Sequence, residues 1–493
     1  MSLAPSEIRL IVIGAMLALF LSALDQTIVA TALPPIAKDL GDFALISWVV
    51  TAYLLTSTCV TPIVGKLSDL YGRRKVLRAC LLIFMTGSAL CALAPGMIPL
   101  ILARGLQGLG GGGLITMGQT IIADVVSPRE RGRYAGYFAM VWGSASVLGP
   151  TVGGIVTQYY GWPWIFWINL PLGLTALLIA DRALRKLPVD HHRSQVDYAG
   201  IALLCGTTIA LLMVLSLGGK RLPWTSMEMI ALAALVLLLG AACALQQMQS
   251  PEPILPPHFV RDRVIRPVII SIIVVYGCYL ALAVLTPIYF QIALGRPVSE
   301  AGLLMIPFML SSVLTANLAG LYSRRRGRYK RPPLFGLPVT ILSVAVVAIF
   351  AQQLSAPVAS AVLMIAGLGL GPIFPCTTVA AQNAVERHHL GTVSGAVTFA
   401  RALGGAVGVA AASALVLGLA AEALTHIGPV ASLEDLTQHT LPPEARAVVA
   451  RAFGFMFGAV ALGLALGLAV FSRVEDRELG DQAPAAMPPA VDR

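Results

Sequence analysis

The stretch GKLSDLYGRRK, Gly65 to Lys75, returns as GLYSRRRGRYK, Gly320 to Lys330, at an offset of 255 positions. Each copy sets two glycines seven positions apart and follows them with a basic cluster. A second pair runs in the same order: GRYAG at 132–136 and GTVSG at 391–395, at an offset of 259 that Gly149 and Gly408 also keep. Self-similarity at nearly constant offset is the mark of internal duplication. The basic loops lie between apolar stretches, so the duplicated unit is a set of membrane-spanning helices.

Working outward from those loops, the chain holds fourteen stretches near the length of about 20 apolar residues that a bilayer span needs. They fall at roughly 9–33, 46–65, 76–95, 100–123, 134–157, 163–182, 198–218, 227–246, 267–291, 301–321, 334–353, 357–379, 391–419 and 450–471. The duplication makes spans 1–6 (residues 1–186) and 9–14 (263–472) two copies of one six-helix bundle. Spans 7 and 8, within 187–262, are an inserted hairpin, and 473–493, rich in proline and alanine, is expected to be a disordered tail. The expected fold is thus an all-α integral membrane protein. Halves related by an axis along the membrane normal place a substrate site between them near the midplane.

Composition agrees. Of 493 residues, 57% are hydrophobic and 12% charged, against about 25% charged in soluble domains. A soluble enzyme, a disordered chain and a nucleic-acid binder are excluded. With the N-terminus placed inside, 26 of the 34 lysines and arginines lie on the cytoplasmic side and six outside, while Arg104 and Arg401 lie within spans. The net charge of +10 is therefore read as the positive-inside rule, with both termini cytoplasmic. The first apolar run is too long for a signal peptide. The seven cysteines sit in or beside apolar stretches without CxxC spacing and read as small core residues.

Four stretches carry polar chemistry. LDQTIVATALP, Leu24–Pro34, holds Asp25, about 12 Å from the outer end of span 1 at 1.5 Å per residue. A carboxylate there costs at least about 2.5–3.5 kcal/mol unless paired or wetted. It is either a proton-exchanging group or the structural partner of a neighbouring helix. GKLSDLYGRRKVL, Gly65–Leu77, places Asp69 among Lys66, Arg73, Arg74 and Lys75. LILARGLQGLGGGG, Leu100–Gly113, puts Arg104 on one face with Gly108 and Gly112, either tuning a nearby acid or snorkelling to the outer interface. Its Gly108-x-Gly110-x-x-Gly113 lies in an apolar helix with no preceding strand, so it is no nucleotide loop. GSASVLGPTVGG, Gly143–Gly154, gives a ladder of Ala145, Gly149 and Gly153 for close packing, and Pro150 removes a backbone hydrogen bond.

Together these stretches resemble the major facilitator superfamily, specifically its 14-span drug:proton antiporters, over nearly the whole chain. The resemblance implies proton coupling at Asp25 and Arg104. It implies a cytoplasmic gate built from Gly65, Asp69, Gly72 and Arg73, and an antiporter motif at Gly149, Pro150, Gly153 and Gly154. Three positions depart from the pattern: Ala30 stands where Asn is usual, Pro163 where Arg is usual, and Arg324 at the Asp69 equivalent, which implies a one-sided lock. Tyr53, Trp142, Asn169, Tyr276 and Gln291 are the candidate cavity residues. No enzyme is expected, because no nucleophile, base or metal ligands converge. The adjacent pairs His191-His192 and His388-His389 are expected to turn apart. Arg401 either pairs with an acid or snorkels.

The leading expectation is a monomeric exporter of lipophilic or amphipathic small molecules. It would be driven by a proton gradient without a cofactor, with protons, substrate and the lipid bilayer of the cell membrane as its partners. Export of a native lipid or metabolite, and a non-transport membrane enzyme or receptor, are the alternatives.

Overall fold

The computed structural model describes residues 5–42, 45–186, 196–218, 222–254, 256–424 and 443–480. Among these, fourteen helices are long and apolar enough to cross a membrane. They are α1 (Pro5–Leu40), α2 (Ile46–Tyr71), α3 (Arg73–Ala92), α4 (Met97–Val125), α5 (Pro128–Tyr160) and α6 (Trp164–Ala183). Next come α7 (Tyr198–Leu217) and α8 (Met227–Gln249). The last six are α9 (Ile265–Ile292), α10 (Val298–Arg326), α11 (Arg331–Phe350), α12 (Ala356–Asn383), α13 (Leu390–Leu424) and α14 (Pro443–Ser472). The protein is an all-helical, multi-pass membrane protein.

Every expected span is a helix, and many run past their expected ends. Helical hydrogen bonds are made within the segment, so a helix continues beyond the apolar stretch wherever its flanks allow. Thus α1 runs on through Pro34 and Pro35 to Leu40. Those prolines leave the carbonyls of Ala30 and Thr31 without their helical donors. Two spans are broken, α6 at Ile168 and α12 at Gly371-Pro372.

In the first six helices α1 packs on α5 and α6, and α4 on α2 and α3; in the last six α9 packs on α13 and α14, and α12 on α10 and α11. The pairings repeat with helix numbers shifted by eight. The groups are joined chiefly by α2 with α13 and α5 with α10, and to a lesser extent by α4 with α13 and α5 with the second half of α12. The hairpin helices α7 and α8 pack on each other, and α7 lies against both α2 and α13.

The cores differ. One continuous cluster fills the last six helices. The first six hold two: one around Ile11, Leu21, Leu81, Leu114 and Ala180, and another around Ile28, Ile36, Cys91, Leu100 and Phe166.

Residues 473–480 correct the expectation of a wholly disordered tail. Val474 and Leu479 are buried, Tyr329 Oη donates to the Glu475 carbonyl at 2.7 Å, and Leu479 N donates to the Gly327 carbonyl at 3.0 Å. Arg328 pairs with Asp476 and Glu478. Two apolar anchors and these hydrogen bonds hold the strap, which composition alone does not reveal. Burial pushes the Tyr329 hydroxyl up to about 12, so it remains a donor. His388 and His389 do not turn apart; their rings lie 4.0 Å centroid to centroid in a tight turn. His191-His192, residues 425–442 between α13 and α14 and residues 481–493 lie outside the described residues.

Candidate functional site

Five helices converge on Asp25, which is fully buried on α1. Its Oδ2 accepts from Arg104 Nη1 at 2.6 Å. Its Oδ1 accepts from Gln107 Nε2 and from Asn169 Nδ2, both at 2.8 Å. Arg104 and Gln107 are one turn apart on α4, and Gln107 Oε1 in turn accepts from Arg104 Nη1 at 2.7 Å. Arg104 Nε donates to the Val49 carbonyl on α2, and its guanidinium lies 4.3 Å from the Tyr53 ring centroid. Asn169, just after the break in α6, also donates to Ser88 Oγ on α3, and Ser88 donates to the Phe166 carbonyl. Arg104 is 1% exposed, so it does not snorkel.

This polar layer lies between the two apolar clusters of the first six helices. Taking two charges out of water costs several kcal/mol per ion and is repaid only by good geometry and further hydrogen bonds. Here both conditions hold. The layer corrects two cavity assignments: Tyr53 and Asn169 are each 1% exposed and serve Asp25 and Arg104, so they do not line open space in this structure. Trp142, Tyr276 and Gln291 are half-buried. Gln107 was missed; a polar side chain three residues from a buried arginine in an apolar helix is the signal that points to it.

At the basic end, Asp69 ends α2 and faces the N-terminus of α13. It accepts from Gly391 N at 2.9 Å, Thr392 N at 2.7 Å, Thr392 Oγ1 at 2.7 Å and Arg73 Nη1 at 2.6 Å. The first amides of a helix lack internal acceptors and carry partial positive charge, so a carboxylate there is well placed. Arg73 also donates to Asp124 Oδ2 at 2.5 Å and Ser68 Oγ at 2.6 Å, and Arg387 pairs with Asp124 at 3.5 Å. Gly72 takes φ +87° between α2 and α3, a conformation that favours glycine. A Cβ on Gly65 would lie 2.3 Å from the Gly391 carbonyl oxygen, so no larger residue fits the seam. Lys66 pairs with Glu252 at 2.6 Å, linking this seam to the segment after α8.

The α5–α10 seam has the same backbone closeness, with Gly132 against Gly320. Its charges are reversed. Arg129 Nε donates to the Arg324 carbonyl on α10 at 2.7 Å, and beside it Arg131 Nη1 donates to the Gln382 carbonyl on α12 at 3.1 Å. The one-sided lock is thereby corrected: an acid meets helix amides in one seam, and arginines meet carbonyls near helix C-termini in the other. Arg324 pairs with Glu130 at 3.6 Å at the surface.

The α5 ladder packs on α1. Ala145 is buried and its carbonyl accepts from Thr27 Oγ1 at 2.8 Å. A Cβ on Gly149 or Gly153 would strike Thr27 Oγ1 or Thr31 Oγ1 at 2.0 and 2.4 Å. Pro150 is exposed and Gly154 has open space beside it, so neither belongs to this contact. On α13, Arg401 Nη2 donates to the Phe374 carbonyl at 2.9 Å and to Thr378 Oγ1 at 2.5 Å, pairing with no acid among the described residues.

A family model described as Major Facilitator Superfamily matches residues 15–409. The chain is 36% identical over 409 residues to "Multidrug transporter protein MdtP" of Bacillus subtilis (strain 168), covering 82% of this chain and 74% of that protein. It is 34% identical over 440 residues to "Efflux pump dotC" of Dothistroma septosporum (strain NZE10 / CBS 128990), covering 87% and 75%. Among solved structures, the human organic anion transporter MFSD10 (TETRAN) superposes with a TM-score of 0.66 at 16% identity, covering 95% of this chain and all of that one. The proton:xylose symporter XylE gives 0.59 at 14%, covering 93% and 95%. With its fourteen helices, its glycine seams and these matches, the chain belongs to the Major Facilitator Superfamily.

Proposed function

We propose that the protein is a proton-coupled antiporter that exports lipophilic or amphipathic small molecules by alternating access. The two six-helix groups would act as its rocking units, in the cell membrane with both termini cytoplasmic. The relatives named as a multidrug transporter and an efflux pump support the substrate class. The observation that carries the coupling is the buried Asp25–Arg104 pair.

With Asp25 ionised, α1 is tied to α4 and α6 through Arg104, Gln107 and Asn169. A proton reaching Asp25 must displace Arg104, which then falls back on the Val49 carbonyl, Gln107 Oε1 and the Tyr53 ring. Protonation thus loosens α1 from α4 and shifts the balance between the two packings. Substrate and proton compete for the loosened state, and that competition sets them moving in opposite directions. At the basic end both seams are closed in this structure, so opening there requires Asp69 to leave the α13 amides.

The test is transport in vesicles with an imposed pH gradient at matched protein levels. Asp25→Asn is expected to abolish uphill export while still binding a neutral substrate, and Asp25→Glu to retain part of the coupling. Uphill export by the Asn variant, with proton movement, would assign coupling elsewhere.

A further inference from the structure

Arg401 stands eleven residues into α13, about 16 Å from its start at 1.5 Å per residue. At the repeat offset of 259 its counterpart is Trp142 on α5, and both are half-buried. Arg401 spends Nη2 on α12, but its Nε is buried and finds no hydrogen-bond partner among the described residues. A cation at membrane depth without a counter-ion is costly and marks a functional site by default.

Its surroundings are aromatic. Phe374, whose carbonyl Arg401 holds, packs edge-on against Tyr276 at 5.8 Å and Tyr279 at 5.0 Å, and Tyr279 stacks on Phe308 at 5.8 Å. The rings of Tyr276 and Tyr279 themselves lie 5.8 Å apart, centroid to centroid. Charge counting gives the sign of the ligand. Asp25 and Arg104 neutralise each other. Arg401 therefore leaves one uncompensated positive charge among the described deep residues. A cationic guest meets repulsion there, while an anionic one restores neutrality.

We propose that Arg401 with Tyr276, Tyr279 and Phe374 is an anion subsite that takes a lipophilic aromatic carboxylate. The acid end meets the guanidinium, and the aromatic body lies on the rings. This deepens the export reading by naming a substrate class. Binding in detergent needs no gradient, so failure here leaves the vesicle test of coupling untouched, and failure of gradient-driven export leaves the binding order standing.

The experiment titrates the purified full chain calorimetrically at pH 8 with biphenyl-4-carboxylate, biphenyl-4-carboxamide and biphenyl-4-ylmethylammonium. The carboxylate is expected to bind about tenfold tighter than the carboxamide, and the ammonium weakest. Arg401→Gln is expected to bring the carboxylate down to the carboxamide's level while the carboxamide changes by less than about twofold. Arg401→Lys keeps the charge and should keep the order. If the Gln variant does not fold, the wild-type order and the Lys variant decide. A carboxylate bound no tighter than the carboxamide or ammonium overturns the subsite. So does a preference undiminished in Arg401→Gln, or one reversed in Arg401→Lys.

Discussion

A buried charge pair is stable only while both partners are present, and Asp25 with Arg104 allows that dependence to be separated from function. Removing one partner of such a pair typically costs about 3–5 kcal/mol. Arg104→Gln is therefore expected to lower the unfolding temperature in detergent markedly. Asp25→Asn combined with Arg104→Gln should recover much of that loss, because neither charge is stranded, yet it should not restore uphill export. A double variant that concentrates substrate would reduce the pair to a structural role. Asp25 and Arg104 were visible in the sequence as lone charges in apolar helices. Their ligands were not all visible. Asn169 and Tyr53 read as cavity residues and Gln107 went unread, because helical spacing gives a residue's face but not the neighbour opposite it.

Helix seams follow a different rule, in which backbone closeness comes first and charge second. The glycines at 65, 132, 320 and 391 were legible as repeats. Their pairing, 65 with 391 and 132 with 320, follows only once the two groups of helices are set side by side. Asp69 is the charged latch of the first seam. Asp69→Asn keeps an acceptor oxygen but loses the charge and turns an amide donor toward donors on α13. It is expected to slow turnover several-fold while equilibrium binding of substrate stays within about twofold, since a neutral hydrogen bond is roughly half as strong as a charge-assisted one. Stopped-flow transport alongside calorimetry reads both. Lost affinity at unchanged turnover would remove Asp69 from the gate. The second seam was misread because Arg324 was compared with Asp69 alone; the compensating residues, Arg129 and Arg131, lie on the opposite helix.

At the scale of the whole molecule, the basic asymmetry predicts the orientation of the chain. Lys38 near the end of α1 and Arg473 after α14 are both exposed and lie at opposite ends of their helix groups. In a background with the seven native cysteines replaced, a membrane-impermeant maleimide added outside intact cells is expected to label Lys38→Cys and spare Arg473→Cys. The reverse pattern would invert the topology. The fourteen helices and their order were legible from length and apolarity, since a span is fixed by its own residues. The strap at 473–480 was not, because its order comes from partners far away in the chain.

That distance bears on how the protein is made. The contacts that shut the basic end join residues synthesised far apart: Asp69 meets Thr392 across 323 positions, and Arg131 meets Gln382 across 251. Arg129 N reaches the Gly480 carbonyl near the end of the chain. During translation the first six helices must therefore enter the bilayer with the Asp69 carboxylate and the Arg131 guanidinium still lacking those partners, exposed to water at that face or held by the insertion machinery. These closing contacts are completed only when the last helix and the strap have left the ribosome.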